Sequence, residues 1–159
     1  MSSRFNVIMD SREQLPWSFP PDVYCIRRHL PTADYALEGD TEFAIERKSL
    51  DDFLGTISTG WERFLREIKR MDGWKAKVII VEGDFASCCF HCKEGEIIPP
   101  DHNHPRLLPQ FICKRIGELS LMEVSVLFAG NPGQACALAY HIFKLRMEEL
   151  ENESQGESK

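Results

Sequence analysis

No apolar run in the 159 residues approaches the roughly 20 that a membrane span requires. The opening Met-Ser-Ser-Arg-Phe-Asn has no apolar core of an export signal before polar residues resume at Asp10, so an intracellular protein is expected, cytoplasmic in a bacterium or phage. Six cysteines without such a signal are expected as reduced thiols rather than a disulfide framework. The chain also lacks an excess of positive charge. Its formal net charge is −6, which excludes coating of nucleic acid by bulk charge, because phosphate neutralisation supplies most nonspecific affinity. An enzyme that gathers carboxylates around metal ions and holds DNA on a local basic face is not excluded. Internal repeats are absent, and low complexity is confined to the Glu- and Ser-rich stretch from Glu148. What is present, 43% hydrophobic and 28% charged residues, suits one soluble domain over residues 1–150. Residues 151–159 are expected to form a disordered acidic tail.

Phe5 to Met9 reads as a buried strand ending in Asp10, and Val23 to Leu30 as a second strand after a Pro-rich loop. Asp34–Leu37 and Glu42–Arg47 flank Glu38-Gly39-Asp40-Thr41, which has hairpin turn chemistry. Three sequential strands then predict an antiparallel meander or a mixed sheet. Ser49 is a good helix N-cap, with Asp51 and Asp52 in the first turn where the helix dipole favours them. A helix over Trp61–Met71, a strand at Lys77–Val81, a helix over Leu107–Leu119, a strand at Met122–Phe128 and a helix from about Gln134 to Leu150 follow. This order predicts an α/β protein, a three-layer α/β/α domain with a central mixed sheet. Residues 85–106 break the rhythm and are expected to form an irregular insertion.

On a strand, Glu46 and Lys48 share one face and Arg47 takes the other. Opposite charges side by side on an interior strand are costly unless they pair or bind something. Asp34 on the neighbouring strand can approach Glu46, and Asp10 and Glu13 can reach the same edge. Carboxylates gathered at one point repel unless a cation sits among them or one is protonated. Oxygen ligands of this kind suit Mg²⁺ or Mn²⁺, with Asp34, Glu46 and Asp10 as candidate ligands. Lys48 beside them would steady an attacking water or a phosphate. On Glu46 and Lys48 alone, the commoner reading is a solvated ion pair.

Asp10-Ser11-Arg12-Glu13, Ala33-Asp34-Tyr35, Glu46-Arg47-Lys48 with Asp52, Arg63-Phe64 and Val78-Ile79-Ile80-Val81-Glu82-Gly83 together resemble the nuclease domain of the XPF family of structure-specific endonucleases. That family's pattern is Gly-Asp, a variable stretch, then Glu-Arg-Lys, three residues and Asp. The resemblance implies a restriction-endonuclease-like fold and Mg²⁺- or Mn²⁺-dependent cleavage of branched or flapped DNA. It also implies Asp34 and Glu46 as metal ligands, Lys48 as the catalytic lysine, and Asp10 and Glu13 as further carboxylates on metal or water. Arg12, Arg47 and Arg63 would support the site or touch phosphate, and Asp52 would pair with one of the arginines. Such domains commonly form homodimers or heterodimers. Two departures stand out. Ala33 replaces the family's glycine, harmless unless the backbone there needs positive φ. The chain also shows no helix-hairpin-helix or helicase module, and in this it resembles the short stand-alone members of bacteria and phages. Gly39-Asp40 offers a second Gly-Asp pair, but in the expected turn. Rival readings are an idle scaffold that pairs with an active nuclease, and a restriction-type enzyme acting on plain duplex.

Cys88, Cys89, His91, Cys92, His102 and His104 crowd the insertion. They allow a structural zinc or a substrate-facing loop, although the spacing fits no standard finger. Arg63, Arg66, Lys69 and Arg70 form a basic stripe, by default a solvated face and alternatively a phosphate contact. Ala135–Ala139 reads as core or as a dimer face.

Overall fold

Alternating burial along short Val- and Ile-rich runs produces the sheet, and one-sided apolar stripes produce the helices that cover it. In the computed structural model, residues 4–89, 91–93, 96–98 and 107–156 are described. The first half holds β1 (Phe5–Asp10), β2 (Val23–Arg28), β3 (Tyr35–Leu37), β4 (Phe43–Ser49), α1 (Leu50–Ile57) and α2 (Trp61–Lys69). The second holds β5 (Ala76–Glu82), α3 (Phe85–Cys89), β6 (His91–Lys93), β7 (Glu96–Ile98), α4 (Pro109–Leu121), β8 (Val124–Phe128) and α5 (Pro132–Gly156).

Six strands form one mixed sheet in the order β2-β1-β3-β4-β5-β8. β3 is antiparallel to both β1 and β4, whereas β1/β2, β4/β5 and β5/β8 are parallel. The expected hairpin is therefore present, with Gly39 at φ +87° in its turn. An antiparallel meander through all three early strands is not. The twelve residues between β1 and β2 carry the chain back across the sheet, so β2 starts beside Phe5 and runs parallel to β1.

One apolar core lies between the sheet and α5, centred on Val7, Tyr35, Ile45, Ile80 and Phe143. A second lies under α1, α2 and α4, with Phe53, Leu54, Ile57, Val81, Ile112 and Leu119. Each such side chain, fully buried, contributes about 1.5–3 kcal/mol. The result is the three-layer α/β/α arrangement. Ser49 caps α1 as expected, its hydroxyl accepting the Asp52 N–H at 3.1 Å. Ala135, Cys136 and Ala139 are buried in the α5-side core, as the core reading of that stretch expects, while Ala137 is exposed.

Two boundaries differ from the sequence reading. The segment expected to be wholly irregular contains α3 and the β6/β7 hairpin. The acidic stretch expected to be disordered from residue 151 continues α5 to Gly156, and Lys75 pairs with Glu149 and Glu153 of that helix at 2.7 Å each. No helix among the described residues is long and apolar enough to cross a membrane.

Candidate active site

The C-terminal ends of β1, β4 and β5 lie at one edge of the sheet, where β3 begins. Asp34 reaches that edge through a local backbone device. Ala33 adopts φ +61°, and the turned chain inserts the Asp34 backbone between β1 and β4. Its N–H donates to the Ile45 carbonyl at 3.1 Å, and its carbonyl accepts the Asp10 N–H at 2.8 Å. The Asp34 carboxylate then accepts the Arg47 backbone N–H at 2.8 Å. So the position where the family pattern has glycine does require a left-handed backbone. An alanine there costs about 1–2 kcal/mol.

Glu46 and Lys48 emerge from the same face of β4, and Lys48 Nζ lies 2.6 Å from Glu46 Oε1. Both are largely buried, at 19% and 20% exposure. Burial, and then the neighbouring charge of Glu46, push the Asp34 carboxyl up to about 7. Burial works against the Lys48 ammonium, but Glu46 and Asp34 outweigh it and hold its pKa above the ordinary lysine value. Two carboxylates and one ammonium thus share a partly desolvated pocket in which one proton, or a cation, is short.

A cleft of about 380 Å³ opens over this group. Asp10, Glu13, Asp34, Glu46 and Lys48 line it together with Arg12, Arg63, Glu67 and Arg70. Arg63 was in the expected set, and Arg70 and Glu67 extend it. Arg63 and Arg70 bring part of the basic α2 stripe to the cleft, while Arg66 and Lys69 lie outside it. Glu67, one turn from Arg63, was not assigned from the sequence; its i,i+4 spacing from Arg63, which puts both on one side of α2, was the available signal.

The remaining expected residues divide. Asp10 is buried at 2% exposure, and both of its oxygens are already engaged. Oδ2 accepts from Arg12 Nε at 2.6 Å and Oδ1 accepts the Leu30 N–H at 3.2 Å. Burial raises its pKa, but these donors outweigh burial and the net shift is downward. The sequence reading places Asp10 among the metal or water-orienting carboxylates; in the structure it lines the cleft with its carboxylate held by Arg12 and the Leu30 N–H. Asp52 bonds the Ser49 hydroxyl at 2.8 Å, which replaces the expected arginine pair. Arg47 points to the opposite face of β4, as the strand alternation requires. There it meets Glu82, with Nε to Oε1 at 2.6 Å, and Trp17 donates to the same oxygen at 2.7 Å. Glu82 was read from the sequence as strand and not as site. Its place at the end of a strand parallel to β4 could have drawn it in. Asp40, the alternative Gly-Asp aspartate, is at the other end of the sheet, paired with Arg146 at 2.8 Å.

No cluster of three or more His, Cys, Asp or Glu side chains arranged to hold a metal ion occurs among the described residues. For Mg²⁺ or Mn²⁺ this is no obstacle, since such ions commonly take one or two carboxylates and complete their shell with water and substrate phosphate. The hard oxygen donors of Asp34 and Glu46, held close with an unmet charge, fit that kind of ion. For zinc, Cys88 is buried and in no disulfide. The side chains of Cys89, His91 and Cys92, and all of His102 and His104, lie outside the described residues.

The pattern of the ERCC4 domain matches residues 9–131, a span that contains every residue of the site. No curated protein matches the chain. Among solved structures it is similar to XPF from Aeropyrum pernix, at 17% identity and a TM-score of 0.61 over 94% of this chain and 69% of that one. It is also similar to XPF from Aeropyrum pernix in complex with DNA, at 21% identity and a TM-score of 0.67 over 92% of this chain and 66% of that one. These likenesses establish the fold, the restriction-endonuclease-like α/β arrangement that the sequence resemblance implied.

Proposed function

The chain belongs to the ERCC4 domain family, that of the XPF nuclease domain, and from this premise we propose that it is a Mg²⁺- or Mn²⁺-dependent DNA endonuclease acting on branched, flap or fork DNA. The observation that carries the reading is the convergence of Asp34, Glu46 and Lys48 in one cleft at the strand ends. An ERCC4 fold that had only kept its scaffold role would have no need to hold two close carboxylates against their mutual repulsion.

Asp34 and Glu46 would hold the ion. When bound, such an ion supplies Lewis acidity toward the phosphodiester and makes water a better nucleophile. Lys48, fixed by Glu46 at 2.6 Å, presents a compact positive charge where negative charge grows on the phosphate during hydrolysis. Asp10 acts one step back, orienting Arg12 at the rim of the cleft. Arg63 and Arg70 on α2 line the cleft with Arg12 and suit contacts to the DNA backbone. A chain of net charge −6 can then grip DNA through a short basic wall rather than through its whole surface. The preference for branched substrates rests on the family, and pairing with a second subunit belongs to the same reading.

The test is a panel of flap, fork, nicked junction and plain duplex DNA, each assayed with Mg²⁺, Mn²⁺ and EDTA. Cleavage of the branched forms with Mn²⁺, abolished by EDTA, is expected. Glu46→Gln and Lys48→Ala should each lower it by about 10²–10³-fold while the protein still folds. Wild-type rates in both variants sink the assignment. Silence on every substrate favours an idle scaffold, and equal cutting of plain duplex favours a restriction-type enzyme.

A further inference from the structure

The face of β4 that turns away from the cleft carries a second buried charge group. Arg47 stands beside Ile80 in the β4/β5 register, and Glu82 lies two residues further along the same face of β5. Glu82 is 9% exposed and Arg47 15%. The glutamate uses both oxygens: Oε1 accepts from Arg47 Nε at 2.6 Å and from the Trp17 indole at 2.7 Å, and Oε2 accepts from Arg47 Nη2 at 3.3 Å. With Nε and Nη2 so held, Arg47 can direct Nη1 in only one direction. That direction is the loop after β1, where Nη1 donates to the Leu15 carbonyl and lies 3.5 Å from Glu13 Oε1.

The same loop is pinned further on. Trp17 stacks on Tyr35 at 4.6 Å between ring centroids, and its backbone N–H donates to the Tyr35 hydroxyl at 3.0 Å. Glu13, whose carboxylate Arg47 meets, lines the cleft with Asp34 and Glu46. An arginine–glutamate pair needed only for the fold would be complete with its two mutual bonds. Here the third nitrogen of the fork is spent on the loop that carries a cleft carboxylate. A lysine in place of Arg47 could not reach all three partners, because only a planar guanidinium presents donors in several fixed directions.

We propose that Glu82 is a positioning residue: it fixes the Arg47 guanidinium, which in turn holds Glu13 and the 11–17 loop at the edge of the cleft. The proposal rests on the reading of the cleft as a divalent-ion site. Glu82 itself touches neither ion nor DNA in this scheme; it acts through Arg47 and through its bond to Trp17 at the end of the same loop. Its removal should therefore resemble removal of an outer partner of a metal ligand, which lowers metal affinity or activity by about 10–100-fold.

Three variants of the full chain decide it: Glu82→Gln, Glu13→Gln and the double variant. Mn²⁺ affinity is read from the electron paramagnetic resonance of the free ion, and loop order from amide hydrogen exchange in residues 11–17. Glu82→Gln and Glu13→Gln should each weaken Mn²⁺ binding about 10-fold, and the double variant by little more than the worse single, since both interrupt one line of contacts. Amides of residues 11–17 should exchange faster in Glu82→Gln while those of β4 and β5 keep their protection. Unchanged Mn²⁺ affinity with a protected loop overturns the proposal, and so do effects that multiply in the double variant. If Glu82→Gln fails to fold, Arg47→Lys takes its place and is expected to give the same loss of affinity and of loop protection. A wild-type chain that binds no Mn²⁺ defeats the nuclease reading instead. The exchange data then still decide whether Glu82 orders the loop.

Discussion

Two groups of buried charges sit at opposite ends of the sheet, and they are built on opposite terms. At the far end, Asp40 in the β3–β4 turn meets Arg146 of α5 through two bonds of 2.8 and 3.1 Å, with both side chains 5% exposed or less. Arg146 also meets Glu149 at 2.9 Å, and Lys75 completes the group. Every carboxylate there has a cation at bonding distance. At the near end, Lys48 is at bonding distance from Glu46, 2.6 Å, while the Asp34 carboxylate is bonded by a backbone N–H and feels Lys48 only through space. The first arrangement ties α5 to a hairpin. The second leaves charge unmet in a cleft, which weakens the fold locally and is useful only if a cation or a substrate completes it. A group with every charge balanced reads as architecture, and one left short reads as a site.

The sharpest way to break the comparison is to unbalance the far end. Arg146→Met strands the buried Asp40 carboxylate and should cost about 3–5 kcal/mol in urea unfolding. A loss below about 1 kcal/mol would mean that the far group is not structural after all.

The near end should behave in the reverse sense. The folded Asp34 carboxyl titrates at about 7, above its unfolded value of 3.8, so the folded protein binds the proton more tightly. That contribution is fully present below the unfolded pKa and is lost as pH rises through about 7. Metal-free protein should therefore lose stability as pH rises from about 4 to about 7. Asp34→Asn should raise Tm at pH 8 by about 3 °C or more and flatten the slope. Added Mg²⁺ or Mn²⁺ should raise the wild-type Tm at pH 8 and not that of the variant. A variant less stable than wild type at pH 8 would contradict a strained carboxylate.

The smallest expected effect is at Ala33. Its left-handed backbone costs up to about 1–2 kcal/mol, part of which glycine returns through a more flexible unfolded chain. Ala33→Gly should raise Tm by roughly 1–3 °C without changing the charge of the cleft. A lower Tm would show that the alanine is accommodated without strain.

The features legible in the sequence were the local ones. The Ser49 cap, the turn at Gly39 and the alternation that sends Glu46 and Lys48 one way and Arg47 the other follow from neighbouring residues, and each stands in the structure. The parallel β1/β2 pair was not legible, because direction depends on where a twelve-residue loop returns the chain, and Trp17 and Phe19 settle that by packing on Tyr35. The helical continuation past residue 150 was missed for a similar reason. Its acidic residues look solvated until Lys75, some seventy-five positions earlier, is brought beside Glu149 and Glu153.

By itself, the sequence determined which chemistry the protein can hold: carboxylates, an ammonium and a reactive strand end, in an order that marks a family. The tertiary structure decided how those groups divide. It engaged Asp10 with Arg12, sent Asp40 to Arg146, and left Asp34 and Glu46 short of a counter-charge. Strand alternation is a property of adjacent residues, but whether a carboxylate meets a cation depends on distances between segments far apart in the chain. Only the folded sheet, with helices on both faces, sets those distances.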